Sequence, residues 1–510
     1  MGWEPRGASV ALVSLYDTEN NAVRQLAAAL RPKRRVVEVY FKDWRNNTFE
    51  PPTPAELERL AAVLLREDVG LIGVSVRASA YEACAAQVCE HLRQATNIPI
   101  VVGGWHPTVR PQDCIGFADA LCIGEADVSF PRFVDAVFRR DIDAIRSAPG
   151  HWVRDGAEVY RNAPLPLVTN LDGLPWRDYD SPDKWFIDGD TEHRGDPMAR
   201  DPLFQVMCSI GCIQKCSFCH NSFESEAAGP SLRFRSVSSI LDELAARRKA
   251  NPTIRRVRFD DEIFGLDRKW LREFAERYPR EVGLPFDILT EPTVVSEVYA
   301  DLLQQAGARY IHMGVQSTES VNRDLLERRA TREATRAAVA RLTSRGMRIR
   351  YLTMVDIPGV TEAQKEELFN FFLEVPAPYD LYLFSLTWFP GSKMVEDMLA
   401  SGALDPDQVE GRAQKTFSQY RVDLDHPRSA EDRWWIALLV LEASQVVPRR
   451  VVAEMARRRM LRQHPGVAVR VAQLATLVKT ARTAARMARS GELTPTLVRR
   501  WWNPTGMITM

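Results

Sequence analysis

The chain has 510 residues, of which 45% are apolar, and its 67 basic and 67 acidic side chains leave no formal net charge. A chain of this length can bury several hydrophobic cores, so we expect two to four domains. The longest apolar run, Trp434–Leu441, is far shorter than the ~20 residues that a membrane-spanning helix needs, and no apolar segment follows a basic N-terminus. We therefore expect a large soluble protein of the cytoplasm.

The first 150 residues alternate between short β-rich runs and helical patterns. Strands are predicted over Ser9–Leu15, Arg35–Phe41, Val69–Val76, Ile98–Gly104 and Ala120–Gly124. Helices are predicted at about Asn21–Leu30, Pro54–Arg66, Tyr81–Ala95 and Ser129–Arg139. Strands that alternate with helices predict a doubly wound parallel sheet, a Rossmann-like α/β domain over residues 1–150.

The carboxyl ends of these strands are the expected ligand-binding edge of the sheet. Glycines and small hydroxyl residues there let the backbone approach a large ligand closely. No G-x-G-x-x-G follows the first strand, so a dinucleotide is disfavoured, although an ordinary α/β domain whose glycines only form turns has the same pattern. The candidate ligand-binding residues are Ser14, Ser75, Arg77, Gly103, Gly104, His106, Gly124 and Glu125.

Two of these turns carry a family resemblance. "VVGGWHPT" (Val101–Thr108) and "ADALCIGEAD" (Ala118–Asp127) resemble the VGG-x-H-P-T and D-x-x-x-x-GE-x-E turns of the cobalamin-binding domain in cobalamin-dependent radical S-adenosylmethionine enzymes. The resemblance implies that the strand ends hold the corrin and its nucleotide tail. The D-x-H-x-x-G loop that supplies an axial histidine in other cobalamin proteins is missing, so His106 is not expected to bind cobalt. Arg77 is the candidate for covering the lower face of the corrin.

A segment rich in Pro and Asp follows the first domain. "HWVRDGAEVYRN" (His151–Asn162) carries the Asp-Gly signal of a β-hairpin, and residues 164–201 show no sustained periodicity. We interpret residues 151–200 as a linker between two domains.

Four of the eight cysteines lie within twelve residues, at Cys208, Cys212, Cys216 and Cys219. Four thiolates would satisfy a structural zinc ion, but zinc sites usually pair C-x-x-C knuckles from two separate places in the chain. Here the spacings are x3, x3 and x2 in one continuous loop. This spacing disfavours zinc and leaves the alternative, an iron–sulfur cluster. The other four cysteines are scattered, as buried apolar residues are, and predict no disulfide framework.

The last three of these cysteines form a C-x3-C-x2-C loop, with Phe218 beside the final one. This loop resembles the cluster-binding loop of radical S-adenosylmethionine enzymes. The resemblance implies that Cys212, Cys216 and Cys219 hold three irons of a [4Fe–4S] cluster, and that S-adenosylmethionine chelates the fourth iron and lies beside Phe218. Cys208 ends the preceding strand and is expected to be a buried thiol, because a fourth protein ligand would close the site.

Six β runs, each followed by a helical pattern, occupy residues 201–395 and predict a partial (βα)6 barrel with its chemistry at the strands' carboxyl ends. In the resembling family an acidic motif after the second strand receives the amino group of S-adenosylmethionine. This points to Asp261 and Glu262, although a solvated loop would carry the same pair. Gln316, in "GVQS", replaces the glutamate of the family's G-I-E-S turn, and its amide can bind a ribose hydroxyl but carries no charge.

Residues 396–510 carry no further β signal and predict a basic helical domain. Helices are expected over Glu431–Ser444, Arg449–Gln463, Val467–Ser490 and Thr494–Pro504. Residues 431–510 hold 14 Lys and Arg against 5 Asp and Glu. A helical cap on the barrel with a solvated charged face is one interpretation. Contact with a carrier-bound or phosphorylated substrate, an acidic partner or an anionic membrane surface is the other. No RNA-binding module accompanies the charge, so no nucleic-acid partner is expected.

The resemblance extends over about Gly7–Ser392 and implies an enzyme with three cofactors: a [4Fe–4S] cluster, S-adenosylmethionine and cobalamin. It implies a methyltransferase that acts on an unactivated carbon of a small-molecule biosynthetic intermediate, through a 5′-deoxyadenosyl radical and methylcobalamin. An external electron donor of the flavodoxin or ferredoxin type would be its partner. A cyclase, oxidative or rearranging enzyme like the anaerobic porphyrin-ester cyclase is the second hypothesis. A cobalamin or iron–sulfur sensor without turnover is the third.

Overall fold

The structure of the protein is a computed structural model, which describes residues 3–43, 50–219, 221, 232–407, 409, 428–490 and 493. Within these ranges the chain forms a nine-stranded sheet, a six-stranded sheet, a two-stranded ladder and a set of C-terminal helices. No helix in this part of the chain is long and apolar enough to cross a membrane.

The nine-stranded sheet belongs to the first part of the chain. Its strands are β1 (Ser9–Leu15), β2 (Val36–Phe41), β3 (Val69–Ser75), β4 (Ile100–Gly103), β5 (Ala120–Cys122), β6 (His151–Asp155), β7 (Glu158–Arg161), β8 (Lys184–Asp188) and β9 (Thr191–Arg194). They lie in the order β7-β6-β5-β4-β3-β1-β2-β8-β9. The six strands from β5 to β8 are parallel, and antiparallel strands close both edges. The predicted doubly wound sheet is confirmed.

Helices cover both faces of this sheet. They are α1 (Asn21–Leu30), α2 (Pro54–Arg66), α3 (Glu82–Thr96), α4 (Trp105–Val109), α5 (Pro111–Ile115), α6 (Ser129–Arg139) and α7 (Ile142–Arg146). Successive side chains of a strand point to opposite faces, so Ala11 and Val13 join one apolar cluster while Val10 and Leu12 join another. Because both faces are buried, the strands read as continuous apolar runs in the sequence.

The segment over residues 151–200, predicted as a linker, contributes four strands, β6 to β9, to this sheet. The hairpin predicted at Asp155-Gly156 is present as β6 and β7, and β8 extends the opposite edge by pairing with β2. The strand β8 was not predicted, because it begins with a charged residue, Lys184. That ammonium group is fully buried and ion-pairs with the equally buried Glu38 of β2 (2.6 Å). Pairing inside the sheet lets a charged segment occupy a buried strand.

The second sheet forms the predicted partial barrel. Its parallel strands lie in chain order: β10 (Leu203–Val206), β13 (Arg256–Phe259), β14 (Phe286–Thr290), β15 (Ala308–Gln316), β16 (Arg348–Val355) and β17 (Asp380–Ser385). The short strands β11 (Ser209–Ile210) and β12 (Arg233–Phe234) form a separate antiparallel ladder. The helices between them are α8 (Val237–Ala250), α9 (Arg268–Glu281), α10 (Glu297–Ala306), α11 (Glu319–Asp324), α12 (Arg332–Ser344) and α13 (Glu362–Glu374).

Helix starts in the barrel follow local sequence signals. The side chains that precede five of these helices accept a hydrogen bond from a backbone N–H of the first turn. Such N-caps satisfy donors that have no partner inside the helix. The capping residues are Ser236, Asp267, Ser296, Thr331 and Thr361.

The C-terminal helices pack on the barrel. They are α14 (Lys393–Ala400), α15 (Ala430–Ser444), α16 (Arg449–Arg457) and α17 (Pro465–Ser490). The helix predicted over Thr494–Pro504 lies outside the described residues. Trp434 and Trp435 of α15 are buried in the apolar cluster of the barrel.

Part of the basic charge of this region has acidic partners on the barrel. Arg459 ion-pairs with Glu366 of α13 (2.8 Å), and Arg462 with Glu362 of the same helix (2.8 Å). These contacts favour the interpretation of the C-terminal region as a helical cap.

Candidate cofactor-binding and active site

A cavity of about 310 Å³ lies at the carboxyl ends of β3 and β4, between the first sheet and the segments that follow it. Five of the eight residues predicted at this edge line it, namely Ser75, Gly103, Gly104, Gly124 and Glu125. The ligand-binding edge predicted from topology therefore coincides with a real cavity.

Two glycines in the cavity wall stand where a Cβ atom would be too close to neighbouring atoms. A Cβ atom on Gly73 of β3 would stand 2.9 Å from Leu12 Cδ2 and 3.4 Å from Phe130 Cζ, two side chains of the cavity wall. Gly104 has a φ of +116°, and a Cβ there would stand 2.7 Å from the carbonyl oxygen of Val76. The lining is largely apolar, and this slot is where the sequence predicts the nucleotide tail of cobalamin.

Ser14 does not line the cavity but supports a residue that does. Its Oγ accepts a hydrogen bond from Asn20 Nδ2 (3.0 Å), which also donates to Ser75 Oγ (3.1 Å). Ser14 is fully buried because it lies within β1. Ser14 therefore lies beneath the cavity wall and is connected to Ser75 through Asn20.

Arg77 and His106 also lie outside the cavity wall. Arg77 ion-pairs with Asp17 (2.5 Å), which follows β1. His106 is buried against Ser79, with its Nδ1 3.0 Å from Ser79 Oγ, and burial lowers the pKa of His106 to about 4. The imidazole is therefore neutral near pH 7, and it extends from α4 to pack against the chain after β3. The position of His106 at a strand end was predictable from the sequence, but the direction of its side chain was not.

The rest of the cavity wall comes from segments with no motif. Trp176 and Arg177, from the segment predicted as a linker, line one side. Met207, Ser209 and Arg235, from the start of the barrel, line another. Sequence patterns could not find these residues because only the packing of the two sheets brings them to the cavity.

An ion pair joins the two parts of the chain near the cavity. Arg233 of β12 donates from Nη1 to Glu125 Oε2 (3.0 Å) and to the carbonyl oxygen of Val168 (2.7 Å). Glu125 thus both lines the cavity and holds the end of the cysteine loop beside it.

The loop that carries the cysteines begins and ends at the β11–β12 ladder. The N–H of Arg235 donates to the carbonyl oxygen of Cys208 (2.8 Å), which closes the base of the loop. Cys208 is 1% exposed, belongs to the apolar core of the barrel, and has its thiol pKa raised by burial. The expectation that Cys208 is a buried thiol agrees with this position.

Cys212, Cys216 and Cys219 interact electrostatically: the charge of Cys216 acts on the thiol of Cys212, and the charges of Cys212 and Cys216 act on the thiol of Cys219. Burial raises the pKa of all three thiols. At Cys219 the charges of Glu262, Cys216 and Cys212 add to burial, and the pKa reaches about 12. Such thiols are protonated near pH 7 unless metal ions bind them as thiolates.

The four thiols of this stretch do not all belong to one site, because Cys208 lies in the apolar core of the barrel. In the described part of the chain, no three His, Cys, Asp or Glu side chains converge as ligands of one metal ion. The thiolates of an iron–sulfur cluster bind different irons and need not converge on one atom. Because Cys208 is in the core, the four-thiolate zinc site is not supported, and the assignment of the three loop cysteines to a [4Fe–4S] cluster stays a prediction.

The two acids after β13 have different surroundings. Asp261 is fully buried and accepts hydrogen bonds from the N–H of Cys208 (3.1 Å) and from Ser209 Oγ. Burial, opposed by these bonds, raises the pKa of Asp261 to about 6. Glu262 is exposed, and its charge acts on the thiols of Cys212 and Cys219. Asp261 therefore holds the start of the cysteine loop by hydrogen bonds, while Glu262 lies on the side of the cysteine thiols.

Gln316 ends β15 in a left-handed conformation, with a φ of +61°. A non-glycine residue with such a φ is strained, which is frequent at functional sites. Its amide packs over Gly314, where a Cβ would stand 3.1 Å from Gln316 Nε2.

Phe218 packs against an apolar cluster at the carboxyl end of the barrel. The cluster includes Met354, Ile357, Leu386 and Trp388. The structure thus brings Phe218 to the mouth of the barrel, at the end where Asp261 and Glu262 follow β13.

Comparisons with known proteins agree with this geometry. The family model described as the radical SAM superfamily matches residues 206–372, and the model described as the B12 binding domain matches residues 7–134. Together they cover more than half of the chain. The fold and the site define a radical S-adenosylmethionine enzyme with a cobalamin-binding domain.

The chain belongs to the cobalamin-dependent radical S-adenosylmethionine enzymes. Its cofactors are a [4Fe–4S] cluster, S-adenosylmethionine and cobalamin. A comparison with curated protein sequences gives no match.

Solved structures of two enzymes share the fold. The radical S-adenosylmethionine methyltransferase TsrM from Kitasatospora setae, with cobalamin and a [4Fe–4S] cluster bound, is 18% identical; the match covers 89% of this chain and 100% of that one, with a TM-score of 0.61. A second TsrM structure, with tryptophan substrate and the analogue aza-SAM, is 20% identical over 78% and 76% of the chains, with a TM-score of 0.62. OxsB, with aqua-cobalamin and S-adenosylmethionine, is 14% identical over 97% and 82%, with a TM-score of 0.65.

Proposed function

We propose that the protein is a cobalamin-dependent radical S-adenosylmethionine methyltransferase that acts on an unactivated carbon of a small-molecule biosynthetic intermediate. One observation carries the proposal: the cavity of the first domain is walled by Met207 and Ser209, the residues that lead into the cysteine loop. Two cofactor sites that share a wall can act on one substrate held between them. A chain that used either cofactor alone would not need this arrangement.

The residues of the site have separate roles in this proposal. Cys212, Cys216 and Cys219 hold the cluster, and Glu262, the exposed acid, receives the amino group of S-adenosylmethionine. Gln316 binds a ribose hydroxyl. When bound, S-adenosylmethionine and the cluster supply a radical that removes a hydrogen atom from the substrate, and cobalamin supplies the methyl group.

The first domain has the complementary task of holding cobalamin. Gly73 leaves the slot open, and Ser75, oriented through Asn20, offers a hydroxyl at its edge. Arg77 covers the lower face of the corrin in this proposal. An external one-electron donor of the flavodoxin or ferredoxin type reduces the cluster, and the reaction takes place in the cytoplasm.

The choice of methyl transfer is supported by the likeness to TsrM, which is a methyltransferase with a tryptophan substrate. The same fold occurs in OxsB, described as a cobalamin-dependent S-adenosylmethionine radical enzyme. This description names no methyl transfer, and a ring-forming, oxidative or rearranging reaction with the same cofactors, the second hypothesis from the sequence, is kept as the second candidate.

The two candidates differ in the mass of the product. Mass spectrometry of extracts from a strain that lacks the gene, compared with its parent, should show a compound that accumulates without the protein and a parent product heavier by one methylene group. Growth with methyl-labelled methionine should carry the label into that product. A product that is an isomer of the accumulated compound, or lighter by hydrogen, would instead support the second candidate.

A further inference from the structure

Arg328 is a buried cation that follows α11 and that no sequence motif singles out. Its side chain is buried, with 9% of the residue exposed, and its backbone N–H donates to the carbonyl oxygen of Asn322 (2.8 Å). A buried guanidinium group requires partners, because an isolated charge is costly to remove from water.

The two arms of the guanidinium have different partners. Nη1 donates to Cys216 Sγ (3.4 Å), and Nη2 donates to the carbonyl oxygen of Gly314 (3.0 Å). A Cβ on Gly314 would stand 3.6 Å from Arg328 Nη2 and 3.1 Å from Gln316 Nε2. The glycine therefore leaves space for both side chains, and Arg328 links the cysteine loop to the end of β15.

The same stretch of chain holds the cysteine loop at two further points. The N–H of Ser217 donates to the carbonyl oxygen of Leu326 (3.2 Å), and its Oγ donates to that of Leu325 (2.8 Å). Cys216 and Ser217 are thus fixed against residues 325–328 by three separate hydrogen bonds. This fixing sets the distance between the cation and the sulfur without help from any bound group.

Charge acts in opposite directions around these sulfurs. The negative charge of Glu291 and the positive charge of Arg328 both act on the Cys216 sulfur. The charge of Arg328 also acts on the Cys212 sulfur. One-electron reduction adds negative charge to an iron–sulfur cluster, so a buried cation and an N–H donor at a ligand sulfur stabilise the reduced form.

We propose that Arg328 is a positioning residue that raises the reduction potential of the [4Fe–4S] cluster through its hydrogen bond to Cys216 and its buried charge. The proposal rests on the proposed function in one respect, that Cys216 is a cluster ligand. The electron comes from the external donor, and Arg328 keeps its proton throughout. Its effect is to make the cluster easier to reduce.

The test is a reductive titration of the anaerobically reconstituted protein, followed by electron paramagnetic resonance. Arg328→Met removes the charge and the donor. At the potential where the wild-type cluster is half reduced, we expect the ratio of reduced to oxidised cluster to fall about tenfold, a shift of about 59 mV for one electron. Arg329→Met is the matched control, because Arg329 is the exposed neighbour, and its potential should equal that of the wild type.

An unchanged potential in Arg328→Met, with full iron content, would overturn the proposal. If that variant holds no cluster, Arg328→Lys decides, since lysine keeps the charge but cannot make both hydrogen bonds. A potential below that of the wild type supports the role of the guanidinium, and an equal potential overturns it. Failure of the proposed function is seen separately and earlier, as a wild-type protein that takes up no cluster on reconstitution.

Discussion

Two adjacent carboxylates, Asp261 and Glu262, follow β13, and their surroundings separate their roles. Asp261 accepts hydrogen bonds from both residues that begin the cysteine loop and is fully buried. Glu262 is exposed near Cys212 and Cys219. The sequence pattern predicted that this pair is functional but not which acid has which role, because the roles depend on the direction of each side chain at the strand end.

Asp261 should make the stability of the protein depend on pH. Its pKa of about 6 is above that of an aspartate in an unfolded chain, so the folded state binds the proton more tightly. This contribution is complete below about pH 4 and is lost as the pH rises through about 6. Between about pH 5 and pH 8, the free energy of unfolding of the wild type should fall by about 1–2 kcal/mol relative to that of Asp261→Asn. Denaturant unfolding of both proteins measures this, and parallel pH profiles would contradict it.

Glu262→Gln should weaken the binding of S-adenosylmethionine. Loss of a charge-assisted hydrogen bond costs about 1.5–3 kcal/mol, which corresponds to about tenfold or more in the dissociation constant. Equilibrium dialysis against the reconstituted protein gives this constant. Glu273→Gln, an exposed acid on α9, is the control and should leave it unchanged. Equal affinities in Glu262→Gln and the wild type would exclude a role of Glu262 at the amino group.

At the scale of elements, the strands and helices that carry local signals were predictable. The strands β1 to β5 lie within two residues of their predicted limits, because buried parallel strands are continuous apolar runs. The strand β8 was missed because its pattern depends on the ion pair between Lys184 and Glu38, which are far apart in the sequence. A charged residue in a sequence predicts an exposed position, unless the residue that pairs with it in the fold is known.

The strand β3 supplies a sharp test of the cobalamin site. In Gly73→Val the new side chain would enter the slot beside Leu12 and Phe130, so we expect cobalamin binding to fall at least about tenfold. Absorption spectra after gel filtration give the cobalamin content per chain. Gly116→Ala is the control, because nothing lies within 4 Å of the added methyl group. A full cobalamin content in a folded Gly73→Val protein would place the tail elsewhere.

At the scale of the whole molecule, the site is built where two sheets meet. The motifs predicted each sheet and its ligand, and the family models agree with the fold class and with the cofactors. The residues that join the two sheets, such as Arg177 and Arg233, belong to no motif. Their positions depend on how the segment over residues 164–202 and the cysteine loop pack between the sheets, and no local periodicity records that packing. The cofactors were therefore predictable from the sequence, whereas the contacts between the two sheets were not.

The most direct test of the account is the formation of 5′-deoxyadenosine by the anaerobically reconstituted protein with cobalamin, S-adenosylmethionine and a strong reductant. The wild type and Cys208→Ala should both form it and hold the same amount of iron, because Cys208 lies in the core of the barrel. Cys212→Ala should lose both the iron and the product. Absence of 5′-deoxyadenosine from a wild type that holds its cluster, or loss of the cluster in Cys208→Ala alone, would contradict the assignment of a three-cysteine cluster in a working radical enzyme.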